Sequence, residues 1–438
     1  MSNRAAIREY VNGSLWVLPM GSGLLALLVG YSVSLINVGP DSWLAPLAYQ
    51  GTAGDARDLL SNVTSTVVTV IALVLGLTVV ALQLSSTQFS PRLVRNFLRD
   101  RPNQIALSVF VATFAYCAAG LYTVGEADRE GAGEFPRLAV SGSIALLFAS
   151  LAMVVFFADH LAHSLQVDAI GARVERDTLH VVHDRLGSTE SVTPAPPTWA
   201  VRLIATESGY VQTVRPEALL AVAVKHRVRV LLRVRVGEHL VAGTTVAWMW
   251  TATSDEASPD PALFRHPLQQ TVRLGFERTM EQDAAFGIRQ LVDMACKALS
   301  PAVNDPYTAV QAIDRLTVIF CSLAVRPLGD FVATGPGGQA AVIVPGRRFG
   351  DYLDTMCGLI RRYGCSEPSV SLALFRLLGD CAAVLPENYD RWAALAEQAD
   401  LILADASREI AQPADLVPVT AAAERLRLQI EGHLSDRR

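Results

Sequence analysis

The chain has 438 residues, of which 51% are hydrophobic and only 18% charged. That balance is apolar for a water-soluble protein and puts membrane spans first among the possibilities. A net charge of −5, with no Lys/Arg-rich block and no aromatic RNA-binding motif, offers no partner to nucleic acid.

Four uncharged apolar runs occupy residues 15–38, 61–85, 105–124 and 138–158. Each is long enough to cross a hydrocarbon core of roughly 30 Å as a helix. The first is too long for the apolar region of a signal peptide and no small-residue cleavage site follows it, so it reads as a retained anchor. Flanking charge sets the expected orientation. Arg4 and Arg8 precede the first run, and Arg92, Arg95, Arg99 and Arg101 lie between the second and third. The other two loops are mainly acidic, with Asp41, Asp55 and Asp58 in one and Glu126, Asp128, Glu130 and Glu134 in the other. The positive-inside rule then predicts both termini in the cytoplasm of a bacterial inner membrane, with everything after residue 160 inside the cell.

No Asp, Glu, Lys, Arg or His falls within the core of any run, which argues against a proton-driven carrier. The second run carries something else. Ser61, Ser65, Thr69, Ala72, Gly76 and Gln83 recur at three, four or seven residues and make a small, weakly polar stripe along one helix face. Close helix packing and a pore lining both account for such a stripe, and packing is the commoner use of small residues. At its end Ser90-Pro91 starts a short amphipathic segment. Arg92, Arg95 and Arg99 fall on one side of it, opposite Leu93, Val94, Phe97 and Leu98. Those arginines suit the phosphates of anionic lipid, or the inner mouth of a homo-oligomeric pore.

A helical pattern continues past the fourth run to about residue 186. Its His160/His163 and His180/His183 pairs lack further ligands at suitable spacing, so no metal is expected. The six cysteines are scattered without a C-x-x-C pair and read as reduced thiols. After a Ser/Thr/Pro linker the period changes. "VRLIATESGYVQTV" and "RVRVLLRVRVGEHLVAGTTVAWMW" alternate apolar and polar residues, predicting four to six short strands. The second stretch looks like the closing half of a biotinyl- or lipoyl-type barrel. Such domains carry their group on a hairpin lysine, and Lys225 in "AVAVKHRVRV" is a weak match to one, so no prosthetic group or other cofactor is expected. From Pro267 the chain reads as helical again, with a hairpin-like piece at 329–346 and amphipathic helices near 349–363, 367–384, 387–411 and 415–434.

Residues 299–316, "LSPAVNDPYTAVQAIDRL", form the most distinctive stretch. Asp305 precedes Pro306, a natural first helical residue, so Asp305 is a predicted N-cap. Ser300-Pro301 opens the turn before it. That reading leaves Asn304 unexplained, together with Glu277, Arg278, Gln282 and Asp283 just upstream. With Ser300 and Asp305 these polar residues suit either a buried network, in which Asp305 would answer the charge of Arg278, or a ligand site.

Taken in order, "LQLSSTQFSPRLVRNFLRDRPNQ", "SGYVQTV", "ERTMEQDAAFGIRQLVDMACKALSPAVNDPYTA" and "AIDRL" resemble DUF 2254, a family of bacterial predicted integral membrane proteins named as a domain of unknown function. The resemblance covers most of residues 10–430. It implies a helical membrane part followed by a cytoplasmic part, and it brings no activity or catalytic residue.

The organisation read is thus an α-helical membrane domain of four transmembrane helices over 1–160 and a cytoplasmic α+β region. The latter divides into a helical connector and Pro-rich linker (161–198), a small β-barrel- or sandwich-like module (199–255) and a mainly helical domain (264–438). An oligomeric channel or permeation protein is the first functional expectation. A membrane-anchored sensor or scaffold that binds a ligand or partner through its cytoplasmic domain is the alternative. An enzyme is not expected, since GxSxG, P-loop and HExxH motifs are missing, as is a GxGxxG followed by a helix.

Overall fold

The computed structural model describes residues 16–36, 43–88, 101–129, 135–164, 166–185, 195–255, 258–338, 340–386 and 389–435. The chain forms two compact units, Met1–Ala169 and Ile170–Arg438.

The first unit is helical: α1 (Val17–Ser34), α2 (Ala53–Gln88), α3 (Arg101–Arg129) and α4 (Arg137–Ser164). All four are long and apolar enough to cross a membrane, where a helix satisfies its own backbone hydrogen bonds. The protein is therefore a multi-pass membrane protein with four candidate spans. Helix α2 begins before its apolar run because Thr52 and Asp55 cap one another. The Thr52 amide and hydroxyl donate to Asp55 Oδ2 (3.2 and 2.7 Å), and the Asp55 amide donates to Thr52 Oγ1 (3.2 Å).

Helices α1 and α3 approach closely through glycines seven residues apart. A Cβ on Gly23 would come 2.9 Å from Val111 Cγ1, and one on Gly30 would come 3.1 Å from the Tyr116 carbonyl oxygen. Hydroxyls add links between helices: Ser22 donates to the Ser108 carbonyl (3.1 Å), Thr123 to Ser34 (3.1 Å), and Thr113 and Ser150 share a proton at 2.9 Å. The core joins Leu60, Val63, Val67 and Val74 of α2 to Phe110 and Cys117 of α3 and Phe157 of α4. At one end Arg137 donates to the carbonyls of Tyr49 (2.8 Å) and Gly51 (3.3 Å) and lies over the Phe135 ring.

The second unit is mixed α/β. It begins in α5 (Val167–Arg185) and continues through β1 (Val201–Ile204), β2 (Gly209–Val214), α6 (Glu217–His226), β3 (Arg229–Leu232), β4 (His239–Leu240) and β5 (Thr245–Trp250). Next come α7 (Ala262–Thr271), β6 (Val272–Gly275), α8 (Ala284–Ala298), α9 (Pro306–Ala324), β7 (Phe331–Thr334) and β8 (Ala341–Val344). Four helices close the described chain: α10 (Phe349–Gly364), α11 (Pro368–Val384), α12 (Tyr389–Glu409) and α13 (Pro413–Ser435).

The strands form two open sheets, ordered β1-β5-β3-β8-β7 and β4-β2-β6. All pairings are antiparallel except β3 with β8, which is parallel. Alternation along the strands divides two apolar clusters. Val230, Leu232, Ala247, Met249, Val342 and Val344 join a core with Val211, Leu240, Leu219 of α6 and Phe264 of α7. Leu231, Trp250 and Ile343 form the cluster on the opposite face.

Within 201–250 five strands appear where four to six were expected. Three departures stand out. Residues 217–226, inside the stretch read as a small β module, form a helix: Leu219 and Ala223, one turn apart, are fully buried, and Arg227 ends the helix at φ 53°. Lys225 therefore lies near the end of a helix and not on a hairpin. Strand β6 arises within the stretch read as helical from Pro267 onward. And the β7/β8 hairpin joins the larger sheet through β3, a pairing more than 100 residues apart in the chain, estimated from the registers Arg229–Ala341 to Leu231–Ile343.

Candidate functional site

Two places in the molecule gather polar or small residues. The first is the face of α2. Ser61, Ser65, Thr69, Ala72, Gly76 and Gln83 are all exposed in the chain. Val63, Val67 and Val74 on the other side are 3%, 1% and 1% exposed. At about 100° per residue the stripe and the buried valines are roughly opposite one another. Among the described residues, no atom outside the local helix lies within 4 Å of a Cβ on Gly76. The hydroxyls spend their hydrogen bonds inside the helix: Thr69 donates to the Ser65 carbonyl (3.0 Å) and Thr66 to the Asn62 carbonyl (2.7 Å). Asn62 and Thr66, which sequence inspection left out of the stripe, border it on the same exposed surface. Close packing within the chain uses other residues, the glycines of α1. Arg92, Arg95 and Arg99 lie outside the described residues.

The second place is in the Ile170–Arg438 unit. Asp283 is 3% exposed and caps α8, accepting from the Phe286 amide at 3.2 Å. Arg278 reaches Asp283 Oδ2 with Nε (2.9 Å) and Nη2 (2.7 Å), and its guanidinium lies over the Phe286 ring. Burial pushes the Asp283 carboxyl above its usual range, while the charges of Arg278 and Arg347 pull it back down. Gly237, at φ +88°, lets the backbone pass against this pair, for a Cβ there would fall 2.1 Å from Asp283 Oδ2. Gln282 accepts from the Val214 amide at 2.8 Å, fastening the loop to β2. The Glu277 carbonyl accepts from Gln212 Nε2 at 2.9 Å, close to the exposed end of that loop.

Ser300, Asn304 and Asp305 belong elsewhere. Asp305 caps α9, with Oδ1 accepting from the Thr308 amide (3.1 Å) and Oδ2 from the Thr308 hydroxyl (2.6 Å). Those bonds hold its carboxyl below the ordinary range. Ser300 donates to the Lys297 carbonyl at 2.7 Å, and Asn304 takes φ 49°, the left-handed turn that brings the Asp305 amide to the Ala298 carbonyl at 2.9 Å. Asp283 and Asp305 thus stand at opposite ends of α8, whose 15 residues span about 22 Å. The charge partner of Arg278 is Asp283 and not Asp305.

Gln282 and Asp283 also line a cavity of about 440 Å³. Its other polar walls are Arg215, Arg235, Arg347 and Tyr352 together with the acids Asp184 and Glu217, and Val214, Val236, Phe331 and Val344 supply apolar surface. Arg215 is ion-paired with Glu281 (3.2 Å) and Arg235 with Asp351 (3.1 Å). Sequence inspection did not single out the three arginines or Tyr352. The faint signal was positional, since Arg215 and Arg347 each stand within two residues of a helix start. The histidine pairs stay local: His163 Nδ1 contacts the Asp159 carbonyl, and His183 Nδ1 the Leu179 carbonyl.

Comparison with known proteins gives a family and no activity. The predicted membrane protein family DUF2254 matches residues 12–380. Two uncharacterized mycobacterial proteins, Mb1321c of Mycobacterium bovis and Rv1290c of Mycobacterium tuberculosis, are each 41% identical over 433 residues. The alignments cover 97% of this chain and 82% of each relative. No solved structure matches the chain.

Proposed function

This chain belongs to the DUF2254 family of predicted membrane proteins, and from its own geometry we propose that it is an oligomeric channel or permeation protein with a cytoplasmic regulatory domain. The observation that carries the reading is the exposed stripe of α2 from Ser61 to Gly76. The described core of the four-helix unit is filled by Phe110, Cys117, Phe157 and the valines of α2, which leaves the outward stripe as the surface for a path. Against lipid tails the hydroxyls of Ser61, Ser65 and Thr69 gain nothing. Around an axis shared by several copies the same face would be hydrated and would line a path without ionised groups. Gly76 would make the narrow contact. In this reading both termini face the bacterial cytoplasm, and Arg92, Arg95 and Arg99 meet anionic lipid or ring the inner mouth. The protein carries out no catalysis.

Conductance of the purified protein in planar bilayers tests the reading. The parent should conduct, Gly76→Trp should block, and Thr69→Asp should shift the ion preference while still reaching the membrane. Assembled protein that stays silent across voltage and tension would sink the channel and favour the second reading, a membrane-anchored sensor. That alternative rests on a different observation, the arginine-lined cavity of the second unit.

A further inference from the structure

Beside the ion-paired walls of that cavity stand two groups that its own scaffold does not use. Arg347, half-buried, makes no hydrogen bond or ion pair among the described residues, although its charge acts on Asp283 and Tyr352. Tyr352 is 3% exposed, lines the cavity, and its hydroxyl likewise has no hydrogen-bond partner among the described residues. Burial also drives the Tyr352 pKa upward, so the hydroxyl remains a proton donor. The third contribution is a helix end. Pro216 and Glu217, at the start of α6, are in the wall, and no side chain caps that terminus. The first amides of such a terminus have no acceptor within the helix.

An arginine fork, a phenolic donor and an uncapped helix start all donate, so the complementary ligand group is rich in acceptors and negatively charged. The one buried carboxylate of the wall, Asp283, already has its charge answered by Arg278. Asp184 and Glu217 lie at the exposed rim, where water screens them. A cavity of about 440 Å³ exceeds what a bare inorganic anion fills, and Val214, Val236, Phe331 and Val344 give an organic portion a surface to cover.

We infer that this cavity is a binding site for an organic phosphate ester, its phosphate held by Arg347 and the Tyr352 hydroxyl. The inference does not depend on whether α2 lines a pore. The ester has two sources, a soluble metabolite or a lipid headgroup, which share the same phosphate chemistry.

Calorimetric titration of the full chain in detergent tests it, with adenosine 5′-monophosphate as the soluble probe and dihexanoyl phosphatidylglycerol as the lipid one. At least one should bind once per chain. Arg347→Gln should weaken it roughly tenfold or more, and Tyr352→Phe about threefold. Arg376→Gln, which removes an exposed ion pair with Asp314 outside the cavity, should leave binding unchanged. Preference for either probe, lost in Arg347→Gln, supports the site and identifies the source. Should Arg347→Gln fail to fold, Tyr352→Phe decides, because it removes a single oxygen and keeps the ring in place. No binding of either probe at millimolar concentration, or equal affinity in parent and Tyr352→Phe, overturns the inference.

Discussion

On α2, Thr69 donates to a carbonyl one turn back in its own helix. In the second unit the Asp283 carboxylate takes bonds from Arg278 and from the Phe286 amide, against a glycine that leaves no room for a Cβ. Both are polar groups within largely apolar structure, and both are satisfied. They differ in what satisfaction leaves over. A hydroxyl turned onto its own backbone makes its helix face inexpensive to place anywhere, so a polar face can stay free for another chain or for water. A buried carboxylate bonded on every side fixes the loop around it and offers little to a ligand. In the membrane unit the satisfied polar residues are therefore the interesting surface. In the second unit the unsatisfied ones, Arg347 and Tyr352, are.

The comparison breaks most sharply at Arg278. Replacing it with Gln leaves the Asp283 carboxylate buried without its counter-charge, a loss of about 3–5 kcal/mol. The pH dependence carries a definite sign. Burial already raises the Asp283 pKa, and Arg278 is the largest opposing influence. Without it the folded-state pKa rises further above the unfolded value, and protonation relieves the penalty. The deficit should be greatest at neutral pH and shrink as pH falls through the raised pKa. Urea unfolding of parent and variant at neutral and mildly acidic pH measures it. A pH-independent deficit would show that Arg278 acts through its contact with the Phe286 ring and not through its charge.

Much of this frame was legible. The four apolar runs became four helices, and the helices from Phe349 to Ser435 fall close to the expected bounds, because their apolar spacing is regular and Pro368 marks a helix start. The Asp305 cap was legible from the adjoining proline. The helix at 217–226 was not, since "ALLAVAV" is apolar throughout and shows no period, and only the burial of Leu219 and Ala223 reveals the helical one. The pairing of Arg278 with Asp283 was hidden by proximity to an equally plausible Asp305, and the distance between the two acids emerges only once α8 is a rigid rod between them. The cavity had only a faint local signature, the placing of Arg215 and Arg347 just before helix starts. Its donors come from residues 215, 235, 347 and 352, which topology alone assembles.

A smaller effect is expected at the other end of α8. Asp305→Ala should cost about 1 kcal/mol, the usual worth of a helix N-cap, and Asp305→Asn should stay close to the parent because an amide oxygen caps as well. The carboxylate is held below its ordinary pKa by Thr308. Its contribution is therefore present above the unfolded pKa and is lost as pH falls through the lowered folded one. Thermal unfolding of both variants checks this. If Asn costs as much as Ala, the carboxylate has a charge partner beyond the cap.

The smallest expected effect lies on the stripe itself. A Cβ on Gly30 would press into Tyr116 and Ala119, whereas one on Gly76 meets no atom of the described residues beyond its own helix. Gly76→Leu should therefore leave the stability of the isolated subunit within about 0.5 kcal/mol of the parent, as a surface change does. Helix propensity, if anything, favours the leucine. Thermal unfolding in a detergent that keeps the chain monomeric gives the first half of the test, and a subunit count in native membranes gives the second. An unchanged subunit with altered assembly means that this face of α2 meets other copies. A clearly destabilised monomer means that the stripe is buried within the chain, and the reading of α2 as a free face fails with it.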